Sequence, residues 1–279
     1  MRRSIFALLI CGVAACGNPE RADEAQPDAP VVPAALTYDG ANATDAAGKL
    51  AHGERMSWAL GCKGCHGENL QGMNVTEPDP EVGDMNAPNL TLLMASYSDA
   101  DMEKVIRRGV PKDGREFWFM PSESFQYTSD ADLAALIVYL RTLKPAGSQL
   151  PPINKGPLFE KDISQGKYTH ARGMVERFRA SRPADLGERH ALGRYIAMTA
   201  CTECHNSELQ GYEDFTPDLD IAGTYSEAEL EALLTTGKGK AKPYLGLMSK
   251  TGKERFSKFT PRERAAIIGY VKARADRPR

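Results

Sequence analysis

The chain has 279 residues, 42% of them hydrophobic and 26% charged, with a formal net charge of −2. That length exceeds one small domain and suits two, since domains cluster near ~100–150 residues. After the N-terminus no apolar run reaches the ~18 residues that would span a bilayer.

The first residues read as an export signal. Arg2 and Arg3 are a positive start, and residues 5–10 are a short apolar core. Val13-Ala14-Ala15-Cys16 resembles the bacterial lipobox, in which the cysteine is lipidated and becomes the first mature residue. By that resemblance residues 1–15 are the signal peptide, Cys16 is the lipidation site and Gly17 favours the outer membrane of a Gram-negative cell. Residues 16–45 are rich in Ala, Pro, Asp and Glu with little to bury, which predicts a flexible tether.

The rest of the chain repeats itself. Cys62-Lys63-Gly64-Cys65-His66, followed by Leu70-Gln71-Gly72, matches Cys201-Thr202-Glu203-Cys204-His205, followed by Leu209-Gln210-Gly211. Pro88-Asn89-Leu90 matches Pro217-Asp218-Leu219, and Tyr97-Ser98 matches Tyr225-Ser226. Met120 and Met248 come next, and Asp132 to Leu140 then matches Glu263 to Val271. Ordered matches of this kind mark a tandem duplication.

Both units read as helical, and strand alternation is nearly absent. Ser98 and Ser226, each followed three residues on by an acidic residue, predict capped helix starts that end near Gly109 and Gly237. Thr128 or Ser129 opens the last helix of the first unit, and Thr260 with Pro261 that of the second. The expected division is a first domain over 46–145, a connector over 146–185 packed between the domains with one helix near 164–180, and a second domain over 186–279.

Cysteine usage points to the chemistry. Of the 6 cysteines, Cys11 falls in the signal and Cys16 would carry lipid, so Cys62, Cys65, Cys201 and Cys204 remain as two Cys-x-x-Cys-His motifs. That motif presents two thiols at the spacing of the haem vinyl groups and sets the next histidine, His66 or His205, against the iron. A redox Cys-x-x-Cys or a zinc fragment is the competing interpretation, and two copies in a duplicated frame weigh against it.

Each unit resembles a class I cytochrome c domain, over about residues 48–145 and 186–275, and the pair resembles the two-haem cytochromes c of bacterial respiratory chains. The resemblance implies an all-α fold of two tandem domains wrapped around two covalent haem c groups. It implies crossed first and last helices and a distal methionine before the last helix. His66 would then share iron with Met120, in Met120-Pro121. For His205 the candidate is Met248, the only methionine after it; Lys242, Lys250 or an open position remain alternatives. The resemblance also puts the Pro88 and Pro217 carbonyls on the proximal imidazoles. Trp118, Tyr97, Tyr127 and Arg107 are candidate propionate donors. His52, His170 and His190 lack ligand spacing and are expected to be exposed or in the connector, with His170 able to reach a haem edge.

Charge is uneven. Residues 45–145 carry 10 Lys and Arg against 15 Asp and Glu, whereas residues 236–279 carry 13 against 3. Lys238, Lys240, Lys242, Lys250 and Lys253 surround Met248 and suit an acidic redox partner. The expected function is electron transfer at the periplasmic face of a lipid-anchoring membrane, without nucleic acid. The donor and acceptor would be a dehydrogenase, a quinol-oxidising complex or a terminal oxidase or reductase. The alternative is a two-haem enzyme, peroxidase or thiosulfate-oxidising, working at a weakly ligated second iron.

Overall fold

Local signals set the helix ends. In the computed structural model, which describes residues 36–76 and 79–278, the first unit begins with α1 (Ala46–Ala59) and α2 (Cys62–His66). Two short ladder pairs follow: β1 (Met73–Asn74) with β3 (Asn86–Ala87), and β2 (Gly83–Asp84) with a later strand. Next come α3 (Leu90–Leu93), α4 (Asp99–Arg108), α5 (Ser122–Phe125) and α6 (Asp130–Arg141). The connector carries β4 (Asn154–Lys155), α7 (Pro157–Ser164) and α8 (Ala171–Ala180). The second unit has α9 (Ala191–Ala200), α10 (Thr202–His205), α11 (Glu227–Thr236), α12 (Leu247–Glu254) and α13 (Pro261–Ala275).

Ser98 and Asp101 form a reciprocal capping box on α4, as Ser226 and Glu229 do on α11 and Thr260 and Glu263 on α13. Gly109 and Gly237 end α4 and α11 in the left-handed conformation, at φ 62° and 74°. Among the described residues no helix is long and apolar enough to cross a membrane.

In each unit the first helix crosses the last at a glycine. A Cβ on Gly53 would lie 2.0 Å from the Ala135 carbonyl oxygen, and one on Gly193 2.2 Å from that of Ala266. Tyr139 and Tyr270 close the two crossings alike. Met56, Leu60, Leu136 and Leu140 fill the first core, and Ile196, Ala197, Ile267 and Val271 the second, all within one contiguous cluster.

The units dock by a reciprocal exchange. Asp132, fully buried at the start of α6, accepts from Tyr195 of α9 at 2.7 Å, from Ser129 at 2.7 Å and from His52 at 2.7 Å. Glu263, its counterpart on α13, accepts from Arg55 of α1 at 2.8 Å. His52 is therefore not an exposed histidine: it is 4% exposed and satisfies a buried carboxylate that would otherwise be orphaned.

Three expectations change. Within the end of the expected tether, the segment around Tyr38 and Ala41 is packed. The backbone of Tyr38 donates to Asp132 at 3.1 Å, its hydroxyl meets Thr199 at 2.8 Å, and Asp39 N donates to Glu263 at 2.7 Å. One aromatic residue outweighs the polar composition there, and Tyr38 is 1% exposed. The connector holds two helices, not one, broken at 165–170 around Gly166. It lies mainly on the first unit. β4 pairs with β2, Ala171 N donates to Phe117 O at 2.6 Å, and the Tyr127 hydroxyl donates to Phe178 O at 2.7 Å. Its end also reaches the second unit, where Arg194 donates to Pro183 O at 2.8 Å and the Tyr270 hydroxyl to Ala184 O at 2.9 Å. The signal, Cys16 and the tether up to residue 35 lie outside the described residues.

Candidate functional site: two matched attachment motifs

The two Cys-x-x-Cys-His motifs occupy equivalent places, each just after the first helix of its unit. The loop that follows is the same in both. Leu70 and Leu209 are fully buried in the left-handed region, at φ 59° and 64°. Such a backbone costs a branched side chain about 1–3 kcal/mol and persists only where surrounding contacts fix it. Here Leu70 O accepts from Leu90 N and Leu209 O from Leu219 N, each at 2.9 Å. Gly72 and Gly211 then return the chain: their amides donate to His66 O at 2.8 Å and His205 O at 2.9 Å. A Cβ at either glycine would run into backbone, 2.7 Å from Ala87 O and 2.1 Å from Thr216 O.

The turn delivers a carbonyl to each imidazole. His66 Nδ1 lies 2.8 Å from Pro88 O and His205 Nδ1 2.9 Å from Pro217 O. A carbonyl only accepts, so Nδ1 carries the proton and Nε2 keeps a free lone pair. Burial holds both imidazoles below their ordinary pKa, although the carbonyl contact opposes it. Each histidine is thus neutral, oriented and ready to bind a metal through Nε2.

Cys62, Cys65, Cys201 and Cys204 are all free thiols, partly exposed. Burial pushes Cys62, Cys201 and Cys204 up to about 12 and Cys65 up to about 11. A redox Cys-x-x-Cys has a depressed pKa, the opposite of what these sites show. Among the described residues no group of three or more His, Cys, Asp or Glu is placed to hold a metal ion. A pair of unpaired thiols beside one oriented imidazole, present twice, fits covalent haem. His66 and His205 would hold the iron, and the four cysteines the porphyrin edge.

Met120 and Met248 are half-buried against the same core that receives Cys62 and Cys201. Met120 follows Phe119, whose φ of 70° turns the loop, while Met248 sits in the first turn of α12. Of the candidate propionate donors, Tyr127 is buried on Phe178 O, and Arg107 is engaged by Glu103, Asp130 and Thr128 O. Trp118 packs edge-on to Phe159 with Lys155 over its ring, and Tyr97 lies against the core. His170 caps α8 by accepting from Gly173 N at 3.2 Å, and His190 closes a short 3-10 turn before α9.

Sequence reasoning passed over three buried charged residues. Arg255 is 9% exposed and ion-pairs with Glu203, inside the second motif. Arg274 is fully buried and holds Asp218, the neighbour of Pro217, at 2.7 Å. Glu123, 5% exposed, lies three residues after Met120. Arg255 and Arg274 stand in helix-end patterns rich in charge, so no periodicity separates them from solvated neighbours.

The sequence profile of the family described as cytochrome c matches this chain twice, over residues 50–144 and 190–275. A curated relative, described as "Diheme cytochrome c-type" from Cereibacter sphaeroides, is 27% identical over 186 residues. The chain spans 57% of that relative's length, and the match covers 57% of the chain. Matched motifs, matched loops and two family matches converge, and this chain belongs to the cytochrome c family, as two tandem domains that each hold one covalently bound haem c.

Proposed function

We propose that the protein is a two-haem electron carrier of the periplasmic face of a Gram-negative membrane, anchored through lipid at Cys16. The observation that carries this is the pair of oriented imidazoles, His66 on Pro88 O and His205 on Pro217 O, each beside two free thiols. Bound haem iron supplies the one-electron chemistry; the chain supplies attachment, a fixed histidine and a surrounding that excludes water. In this reading Met120 and Met248 would each give the iron a second protein ligand beside His66 and His205, which would raise the potential of both centres. Neither centre then has an open position, so the protein passes electrons without transforming a substrate.

A docking surface accompanies the second unit. Lys238, Lys240, Lys242, Lys250 and Lys253 are exposed around Met248, and Tyr244 and Leu247 stand among them at 67% and 53% exposure. Exposed apolar side chains interspersed with lysines in one stretch of chain suit a weak, fast complex with an acidic redox protein, a respiratory dehydrogenase, quinol-oxidising complex, oxidase or reductase.

Optical and EPR spectra of the loaded protein test the reading. The wild type should show two low-spin histidine–methionine centres, and Met120→Ala and Met248→Ala should each convert one centre to high spin. A wild-type centre that is already high-spin and consumes peroxide overturns it in favour of a two-haem enzyme. Cys16→Ala should release the exported protein from the membrane fraction.

A further inference from the structure

The two attachment motifs differ at their inner positions: Lys63-Gly64 in the first, Thr202-Glu203 in the second. A Cβ at Gly64 would meet open space. Glu203 is instead turned inward, its side chain 16% exposed, and ion-paired with Arg255, whose side chain is 10% exposed. Arg255 leaves the end of α12 and crosses to the other unit. Its Nη2 approaches the Ala59 carbonyl oxygen at 3.5 Å. Its guanidinium fills the space beside Gly61, where a Cβ would lie 2.6 Å from Cζ. Gly61 immediately precedes Cys62. One ion pair therefore spans from the second motif to the start of the first. A second contact runs beside it, Ser124 Oγ to Thr202 Oγ1 at 2.8 Å, both residues buried.

The electrostatics follow that placement. Burial dominates at all four attachment thiols, but Arg255 pulls each of them down and Glu203 pushes each up. Cys65 also acts on Cys204 across the boundary between the units. The placement itself carries the point: Glu203 lies inside the second motif, and the guanidinium it holds lies beside Gly61, the residue before Cys62, so one buried pair of opposite charges sits between the two attachment motifs. Stability alone gives little reason for such a pair, because desolvation offsets most of the attraction and an apolar contact of the same volume serves as well.

We propose that the Glu203–Arg255 pair is the junction between the two haems: it positions the two attachment motifs against each other for electron exchange within the chain and sets both reduction potentials together. The inference rests on the electron-carrier reading and adds where the internal transfer takes place. One electron leaves one centre, which is oxidised, and reduces the other. No bond is made or broken and no proton is needed, and the docked donor protein is the reductant. Paired, the two opposite charges would largely offset each other at a bound haem. Unpaired, each is a buried charge in a medium of low dielectric and acts on both centres. Negative charge favours the ferric state and lowers the potential; positive charge raises it. Arg255 is a positioning residue here, since it acts through the motifs it holds.

The test is a spectroelectrochemical titration of the protein with both haems attached, with flash photoreduction to follow exchange between them. Glu203→Gln leaves Arg255 unpaired and should raise both potentials. Arg255→Gln leaves Glu203 unpaired and should lower both. Each shift should correspond to about a tenfold change in the reduction equilibrium, about 59 mV for one electron. Arg255→Lys keeps the charge and should restore wild-type potentials. The double variant E203Q/R255Q should return both potentials to near wild type yet slow inter-haem exchange tenfold or more. Shifts at the second haem alone, shifts of one sign in both single variants, or unchanged exchange in the double variant would overturn the proposal. If Arg255→Gln does not load haem, Glu203→Gln and Arg255→Lys decide by the same criteria. Failure of the carrier reading is seen separately, as peroxide consumption by the wild type, and leaves these potentials measurable.

Discussion

Glu123 shows how a single side chain reports its surroundings. It lies on α5, and its Oε2 is buried without a hydrogen-bond partner among the described atoms. Burial pushes its carboxyl up to about 8; its own backbone amide opposes this, and the nearby charge of Glu203 adds to it. An ordinary carboxyl titrates at 4.5, so between pH 4.5 and about 8 the folded chain keeps a proton that the unfolded chain gives up. Stability should therefore be fully present below pH 4.5 and fall as pH rises through that window. Denaturant midpoints of the loaded protein at pH 5 and pH 8 measure the fall. Glu123→Gln, neutral at both, should flatten it; an unchanged slope would assign the effect elsewhere. The pairing of His66 and His205 with the Pro88 and Pro217 carbonyls was expected from the family resemblance, and the repeated Pro-x-Leu segments marked which prolines to match. Glu123 was not, because its position in a helix of four residues says nothing about what covers it.

At the scale of elements, the crossings at Gly53 and Gly193 bear the most. Alanine at either position would set a methyl group 2.0 or 2.2 Å from a backbone oxygen, which a flexible side chain cannot relieve. The helices must separate, and a loss of about 1–3 kcal/mol is expected. Gly269, in the middle of α13, is the control. A Cβ there meets nothing, so Gly269→Ala should stabilise by about 1 kcal/mol through helix propensity. Thermal unfolding of the three variants should order them accordingly. Both crossing glycines sit inside helical patterns, where glycine is usually unfavourable, and that was a visible signal of close approach. What they approach, Ala135 and Ala266 with Tyr139 and Tyr270, came only from the packing.

For the whole molecule, the decisive feature is that two similar units form one core. Tyr38 links them from outside either unit: its ring packs at a tilt against Tyr195 and Phe259, with ring centroids at 5.4 and 5.9 Å, and its amide and hydroxyl reach α6 and α9. The loaded wild type should unfold in one cooperative transition. Tyr38→Ala should cost about 3–5 kcal/mol, by analogy with other buried aromatic truncations, and split calorimetric unfolding into two. Surface charge acts at the same scale. Reversing Lys238, Lys242 and Lys253 to Glu should slow association with an acidic redox partner and remove the salt dependence of its rate, as stopped-flow measurements at two ionic strengths would show.

The amino-acid order by itself determined the duplication, the helical class, the attachment residues and their cofactor. Each of these depends on covalent spacing or on contacts within a few residues: two thiols and a histidine in five positions, Ser98 with Asp101, Thr260 with Glu263. The tertiary structure alone decided how the units face each other. Asp132 with Tyr195, Glu263 with Arg55 and Glu203 with Arg255 join side chains from distant parts of the chain. Their partners are chosen by burial, where an unmatched charge is costly, and not by sequence neighbours. For the same reason the packed segment at Tyr38, buried His52 and the connector on the first unit departed from expectation: each is polar or irregular in sequence and is ordered by a surface that only the folded units provide.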